Sequence, residues 1–334
     1  MKYFKSFSAK VENMSPGDFD GLALDLFRFQ SKENKIYSAY IKARKVVPEE
    51  VIRVEDIPFL PIGFFKSHQV VCGDIGNYQD FYSSSGTTGQ VTSKHYLWSE
   101  SFYLEHASRI FKEFYGEITD YHVLALLPAY LERKGSSLVA MADHFIKESA
   151  SSHSGFYLYN YRELLAKLNE LKTLGDGKKV LLLGVTFALL DLAEQFGKQF
   201  PKLDNLLVME TGGMKGRRRE MIREEVHQVL KAAFKVDNVH SEYGMTELMS
   251  QAYSMGEGKY TLPPSIHVYL RDVNDPLSWS TRPQGGVNVI DLANFHSCAF
   301  IETQDLARYD KNGMLEILGR FDNSEIRGCN LMVD

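Results

Sequence analysis

Cysteine is scarce in this chain. Only Cys72, Cys298 and Cys329 occur, and they lie far apart. No CxxC pair exists to seed a zinc cluster, and an odd number argues against a disulfide framework. Reduced thiols fit a cytoplasmic protein. Long apolar runs are missing too. Nowhere do about 18 consecutive apolar residues occur, so the sequence offers nothing to span a membrane. Residues 1–10 lack the apolar centre of a signal peptide. Excess positive charge is also absent. The 38 Lys and Arg against 43 Asp and Glu leave a net charge of −5, so no basic field draws the chain to nucleic acid or anionic lipid. There is no GxxxxGK[ST] phosphate loop and no GxSxG elbow, and the histidines form no metal-ligand spacing.

What remains is the composition of a globular enzyme. The 334 residues are 44% hydrophobic and 24% charged, enough for two or three subdomains around a sizeable core. Helical patterns fill the first 50 residues. The stretch Ile57-Pro58-Phe59-Leu60-Pro61-Ile62 then breaks any helix. Ser99 is placed to cap a helix whose apolar face is Tyr103, Ala107, Ile110, Phe111 and Phe114. Residues 123–127, 180–183 and 206–209 read as buried strands. Residues 189–196 and about 217–234 read as helices. This alternation predicts an α/β architecture with a largely parallel sheet over about residues 1–262. Beyond Pro263, residues 287–290, 299–302 and 314–318 read as short strands, predicting a smaller β-rich subdomain over about 263–334.

Several short segments carry chemistry. Ser83-Ser84-Ser85-Gly86-Thr87-Thr88-Gly89 is a loop of glycines and hydroxyls, with Lys94 beyond it. Such a loop exposes backbone N–H groups that can wrap phosphate oxygens. Glu242-Tyr243-Gly244-Met245-Thr246-Glu247 combines a flat aromatic, suited to a base, with a carboxylate, suited to a hard cation. Thr303-Gln304-Asp305-Leu306 offers a carboxylate acceptor. Gly319-Arg320-Phe321-Asp322 precedes Ile326-Arg327, and Thr211-Gly212-Gly213-Met214 follows a strand.

In order and spacing these segments resemble the adenylate-forming superfamily of acyl-CoA synthetases, peptide-synthetase adenylation domains and luciferases. Ser84, Ser85, Gly86, Thr87, Thr88 and Gly89 match its SSGTTGxPK loop, except that Gln90-Val91-Thr92-Ser93 stands between Gly89 and Lys94. Segment 242–247 resembles YGxTE. The resemblance implies that Tyr243 stacks on adenine, Thr246 contacts the α-phosphate and Glu247 helps hold Mg²⁺, with Gly244 between them. Asp305 stands where TGDL places the acceptor for the ribose hydroxyls, with Gln304 replacing glycine. Arg320 stands where GRxDxxIK places the arginine that reaches the nucleotide. Gly212 and Gly213 fall where the adenine-contacting loop belongs. ATP and Mg²⁺ are the implied cofactors.

The chain ends six residues after Gly328. The expectation is therefore the large N-terminal domain of such an enzyme, mostly parallel sheets flanked by helices plus the β-rich subdomain, with the mobile C-terminal domain absent. One branch resembles it in that respect, the acyl-protein synthetases of the bacterial-luminescence fatty-acid reductase complex. Segments 57–66, 84–89 and 319–334 carry that likeness. It implies activation of a fatty acid to acyl-AMP, transfer to a cysteine near the C-terminus, here Cys329, and passage to an acyl-accepting protein or reductase partner. Two other readings stay open. One is activation of an aryl or small acid, in the manner of phenylacetate–CoA ligase, onto CoA or a carrier protein. The other is a non-catalytic nucleotide-binding regulator.

Overall fold

The computed structural model describes residues 2–78, 80–84, 91–128, 135–212 and 221–321. The chain divides into two compact units. One combines the described residues up to Asn77 with those from Lys259 onward, and the other runs from Tyr78 to Gly258.

The first unit opens with helices. α1 (Lys2–Glu12) buries Phe4, Phe7 and Val11 along one stripe. α2 (Phe19–Glu33) buries Phe19, Ala23, Leu26 and Phe27. α3 (Lys35–Ala43) starts at Asn34, whose side-chain oxygen accepts from the Ile36 and Tyr37 amides at 3.0 Å. Gln30 is fully buried, and its amide is satisfied. Nε2 donates to the Asn294 carbonyl at 3.0 Å, and Oε1 accepts from the Ala299 amide at 2.9 Å. The proline-broken stretch yields β1 (Leu60–Pro61), followed by the short α4 (Phe64–Ser67).

The second unit begins with an antiparallel hairpin, β2 (Asp80–Ser83) and β3 (Lys94–Leu97). α5 (Glu100–Tyr115) follows, with the Ser99 hydroxyl accepting from the Phe102 amide at 3.1 Å. Then strands and helices alternate. They are β4 (Tyr121–Leu126), α6 (Ser137–Glu148), β5 (Gly155–Tyr157), α7 (Tyr161–Leu174), β6 (Lys179–Val185), α8 (Thr186–Phe196), β7 (Leu206–Thr211), α9 (Arg223–Phe234), β8 (His240–Tyr243) and β9 (Ala252–Ser254). The sheet order is β9-β8-β7-β6-β4-β5. Every neighbouring pair is parallel except β8–β9. Every residue of β4 is buried, as is all of β6 after Lys179. Such unbroken apolar runs mark parallel strands covered on both faces. α8 packs on β6 and β7 and against α9; α6 packs on β4 and against α5. The helix expected from about residue 217 begins at Arg223, because Met221 and Ile222 are extended or irregular.

The chain then completes the first unit with β10 (Lys259–Thr261), β11 (Ile266–Arg271), β12 (Gln284–Asp291), β13 (Phe300–Tyr309) and β14 (Leu315–Arg320). Their order is β11-β12-β13-β14-β10, all antiparallel, and β1 adds to β13 in parallel. β13 is ten residues long rather than short, so Asp305 sits within a strand and not at a turn. The result is an α/β protein with parallel and antiparallel sheet flanked by helices.

Candidate functional site

In the second unit the carboxyl ends of β6, β7 and β8 lie side by side. Open parallel sheets present their ligands' binding groups there, because the loops that leave those ends are free of ladder bonds. β6 ends at Val185, with Thr186 next in the chain; β7 ends at Thr211, followed by Gly212; and β8 ends at Tyr243, followed by Gly244. Thr186 Oγ1 lies 2.7 Å from Glu210 Oε2, 3.0 Å from the Gly212 carbonyl and 3.3 Å from the Thr211 carbonyl, so three acceptors compete for one hydroxyl proton. The Thr211 hydroxyl donates to Glu242 Oε2.

The two carboxyls in this network behave differently. Glu210 faces His227 Nε2 at 3.6 Å and Arg223 Nε at 3.9 Å. Burial opposes its ionisation, but His227, Arg223 and the Thr186 hydroxyl outweigh that and hold the carboxyl below its usual range. Glu242 is pushed up to about 7 by burial, which Glu210 reinforces and the Thr211 hydrogen bond opposes. A Cβ at Gly244 would press on Glu242 Oε1, so a larger residue there would have to displace that carboxyl.

Tyr243 and Thr246 are half-buried, and Glu247 is buried. The Thr246 carbonyl accepts from His95 Nδ1 at 2.8 Å. On the hairpin, the Ser84 hydroxyl accepts from the Ser93 amide at 2.9 Å, and the Ser84 amide donates to the Ser93 carbonyl at 3.1 Å. Ser84 thus closes the loop base. Lys94 is exposed, with Nζ 5.0 Å from the Phe81 ring centre. Alternation along β3 turns Lys94 away from the face on which His95 reaches Thr246. Ser85, Gly86, Thr87, Thr88, Gly89, Gly213 and Cys329 lie outside the described residues.

In the first unit Asp305 and Arg320 stand directly opposite each other on β13 and β14. Arg320 Nε lies 3.2 Å from Asp305 Oδ1; Asp305 is buried, whereas the Arg320 side chain is 73% exposed. Beneath them Arg271 is buried. Its Nη2 donates to the Thr303 carbonyl at 2.6 Å, its Nη1 to the Val287 carbonyl at 2.8 Å, and its guanidinium covers the Phe321 ring at 5.4 Å. A Cβ at Gly286 would meet that guanidinium at 2.6 Å, so the glycine makes room for the cation. Arg271 therefore braces the β13 backbone two residues before Asp305.

The model for the family described as "Acyl-protein synthetase, LuxE" matches residues 11–334. The chain belongs to the acyl-protein synthetase family. A curated relative, the long-chain-fatty-acid–luciferin-component ligase of Photorhabdus luminescens, is 32% identical over 68 residues; the match spans 20% of this chain and 58% of that relative. Among solved structures, 2-hydroxyisobutyryl-CoA ligase with 2-HIB-AMP and CoA superposes with a TM-score of 0.66 at 13% identity, over 91% of this chain and 69% of the other. ATP-bound MatB from Rhodopseudomonas palustris gives 0.53 at 17% identity, over 72% and 47%. At these identities the likeness is one of fold, and the fold is that of adenylate-forming ligases.

Sequence reasoning passed over His95, Thr186, Glu210, Glu242 and Arg271. For the two glutamates a signal existed, since carboxylates at the ends of buried apolar strands need partners. For His95 none did, because its partner is 151 residues away.

Proposed function

We propose that this acyl-protein synthetase uses ATP to convert a carboxylic acid of the fatty class into an acyl adenylate, then moves the acyl group to a thiol. The observation that carries the reading is the gathering of Thr186, Thr211, Gly212 and segment 243–247 at the carboxyl ends of β6, β7 and β8. Family membership supports acyl activation. Fold neighbours solved with ATP or an acyl-AMP support the nucleotide, and the curated relative's name supports a long-chain acid.

The substrate carboxylate attacks the α-phosphorus of ATP, and pyrophosphate leaves with the bond's electron pair. Tyr243 offers its ring face to adenine. Gly212 and Gly213 shape the adenine loop. The Thr246 hydroxyl donates to an α-phosphate oxygen. Ser84, Ser85, Gly86, Thr87, Thr88 and Gly89 serve the outer phosphates, Asp305 the ribose hydroxyls, and Arg320 the nucleotide. Gly244 allows close approach. A hard carboxylate such as Glu247 fits Mg²⁺, which takes one or two protein carboxylates beside phosphate oxygens. When bound, that ion neutralises phosphate charge.

In the second step a thiolate attacks the acyl carbonyl carbon, the C–O bond to AMP breaks, and AMP departs with the electron pair. We assign the thiol to Cys329. Cys72 and Cys298 are buried, and burial drives the Cys72 thiol well above its ordinary range and the Cys298 thiol up to about 12. Neither supplies thiolate near neutral pH. The thioester then passes to a protein partner, a reductase being the chemical class that consumes it.

The test is pyrophosphate exchange over a panel of acids graded by chain length, followed by intact-mass analysis with and without hydroxylamine. Exchange with long-chain acids and a hydroxylamine-labile adduct absent from Cys329→Ser are expected. An adduct that persists in Cys329→Ser removes that residue. An acyl group that moves only to added CoA supports the aryl- or small-acid reading. ATP binding with no exchange for any acid leaves a nucleotide-binding regulator.

A further inference from the structure

His95 is fully buried on β3, one residue past the exposed Lys94. It lies two residues beyond Ser93, which bonds Ser84 across the loop base. Its Nδ1 lies 2.8 Å from the carbonyl oxygen of Thr246. A carbonyl oxygen only accepts, so Nδ1 must carry the proton, and this bond selects the tautomer.

Segment 244–250 follows β8 and belongs to neither a strand nor a helix. Within it one turn bond runs from the Leu248 amide to the Met245 carbonyl at 3.2 Å. The peptide between Thr246 and Glu247 is held by His95 from another element. Holding that peptide fixes ψ of Thr246 and φ of Glu247, the backbone angles on which the relative aim of the two side chains depends. The hairpin that carries the Ser84-Ser93 closure is thereby tied to the residues that follow Tyr243.

We infer that His95 is a positioning residue for Thr246 and Glu247, acting through its Nδ1–H on the Thr246 carbonyl. The inference rests on the functional reading in which those two residues serve the phosphates and the metal. It differs from a packing role in one respect: the N–H matters, and the ring volume does not.

Two substitutions separate the cases. His95→Asn can place an amide N–H near the Nδ1 position while removing much of the ring. His95→Phe keeps the ring and removes the donor, leaving a buried carbonyl without it. Pyrophosphate exchange is measured with an acid that supports it in the wild type, alongside thermal stability. His95→Phe should lose about tenfold to a hundredfold in kcat, with KM for ATP changed much less, the scale of a slightly misplaced reacting group. His95→Asn should recover most of that loss. A His95→Phe enzyme at the wild-type kcat overturns the inference. So does a His95→Asn enzyme as slow as His95→Phe, since volume would then be what counts. A ¹⁵N spectrum showing the proton on Nε2 removes the bond itself. Absence of exchange in the wild type with every acid is a separate outcome, because it overturns the functional reading on which the inference stands.

Discussion

Glu210 and Glu242 sit on adjacent parallel strands near their carboxyl ends, and they answer burial in opposite ways. Glu210 has a histidine, an arginine and a hydroxyl around it, so ionisation is favoured. Glu242 has a single threonine hydroxyl and the neighbouring carboxylate, so its proton is retained up to about pH 7. The sign for stability follows. The folded state binds this proton more tightly than the unfolded chain, whose carboxyl titrates near the ordinary 4.5. Stability from Glu242 is therefore fully present below about 4.5 and is lost as pH rises through about 7. Between those values a fully shifted carboxyl changes stability by about 1.4 kcal/mol per pH unit. Glu242→Gln mimics the neutral acid and should flatten this part of the profile. Urea midpoints from pH 5 to 8 would measure it. A slope in the variant as steep as the wild type's would assign the pH dependence to another group.

At the scale of elements, α5 shows why the pattern was readable. Its apolar residues recur at helical spacing, Ser99 caps it, and the structure buries Phe102, Tyr103, Ala107, Ile110 and Phe111 as a stripe. Phe111 is central. Its ring meets those of Tyr115 at 4.9 Å, Phe145 at 5.1 Å and Tyr121 at 5.5 Å, joining α5 to α6 and β4. Phe111→Ala should cost about 3–5 kcal/mol, the usual loss for a fully buried phenylalanine. That corresponds to a fall of roughly 4–7 °C in Tm, readable by calorimetry. A fall of only one or two degrees would mean that the neighbouring rings close the cavity. β13 was less readable. Only its first residues are strongly apolar, and it continues through Thr303, Gln304 and Asp305 because β12 and β14 pair with it on both sides. Ladder partners, not side-chain pattern, extend that strand.

At the scale of the molecule, chain order and spatial grouping part company. Residues before Asn77 join those after Lys259, through β1 on β13 and through Gln30 and Asn34 on segment 294–299. Cys72 and Cys298 are buried in that shared core, where the Cys72 sulfur donates to the Ser297 carbonyl at 3.3 Å. Native protein treated with a maleimide at pH 7.5 should leave both cysteines unmodified until denaturant is added. Peptide mapping reads each site separately. Rapid labelling of Cys72 or Cys298 in native protein would return that cysteine to candidacy as the acyl acceptor and weaken the assignment to Cys329.

The alternation of strands and helices over the middle of the chain is legible in the sequence alone, because apolar periodicity is a local property. The family is legible there as well, because nucleotide-type loops are contiguous strings such as 84–89 and 242–247. Ser99 as a cap and the buried strand expected at 123–127 were equally local. Other features depend on contact between distant residues and emerge only in the fold. The approach of His95 to Thr246, the opposite fates of Glu210 and Glu242, the bracing of Asp305 by Arg271, and the burial that silences two of three thiols all fall in this class. Each arises where side chains far apart in sequence share one small volume, and the free energy of a charge or a hydrogen bond is set by that volume rather than by the neighbours along the chain.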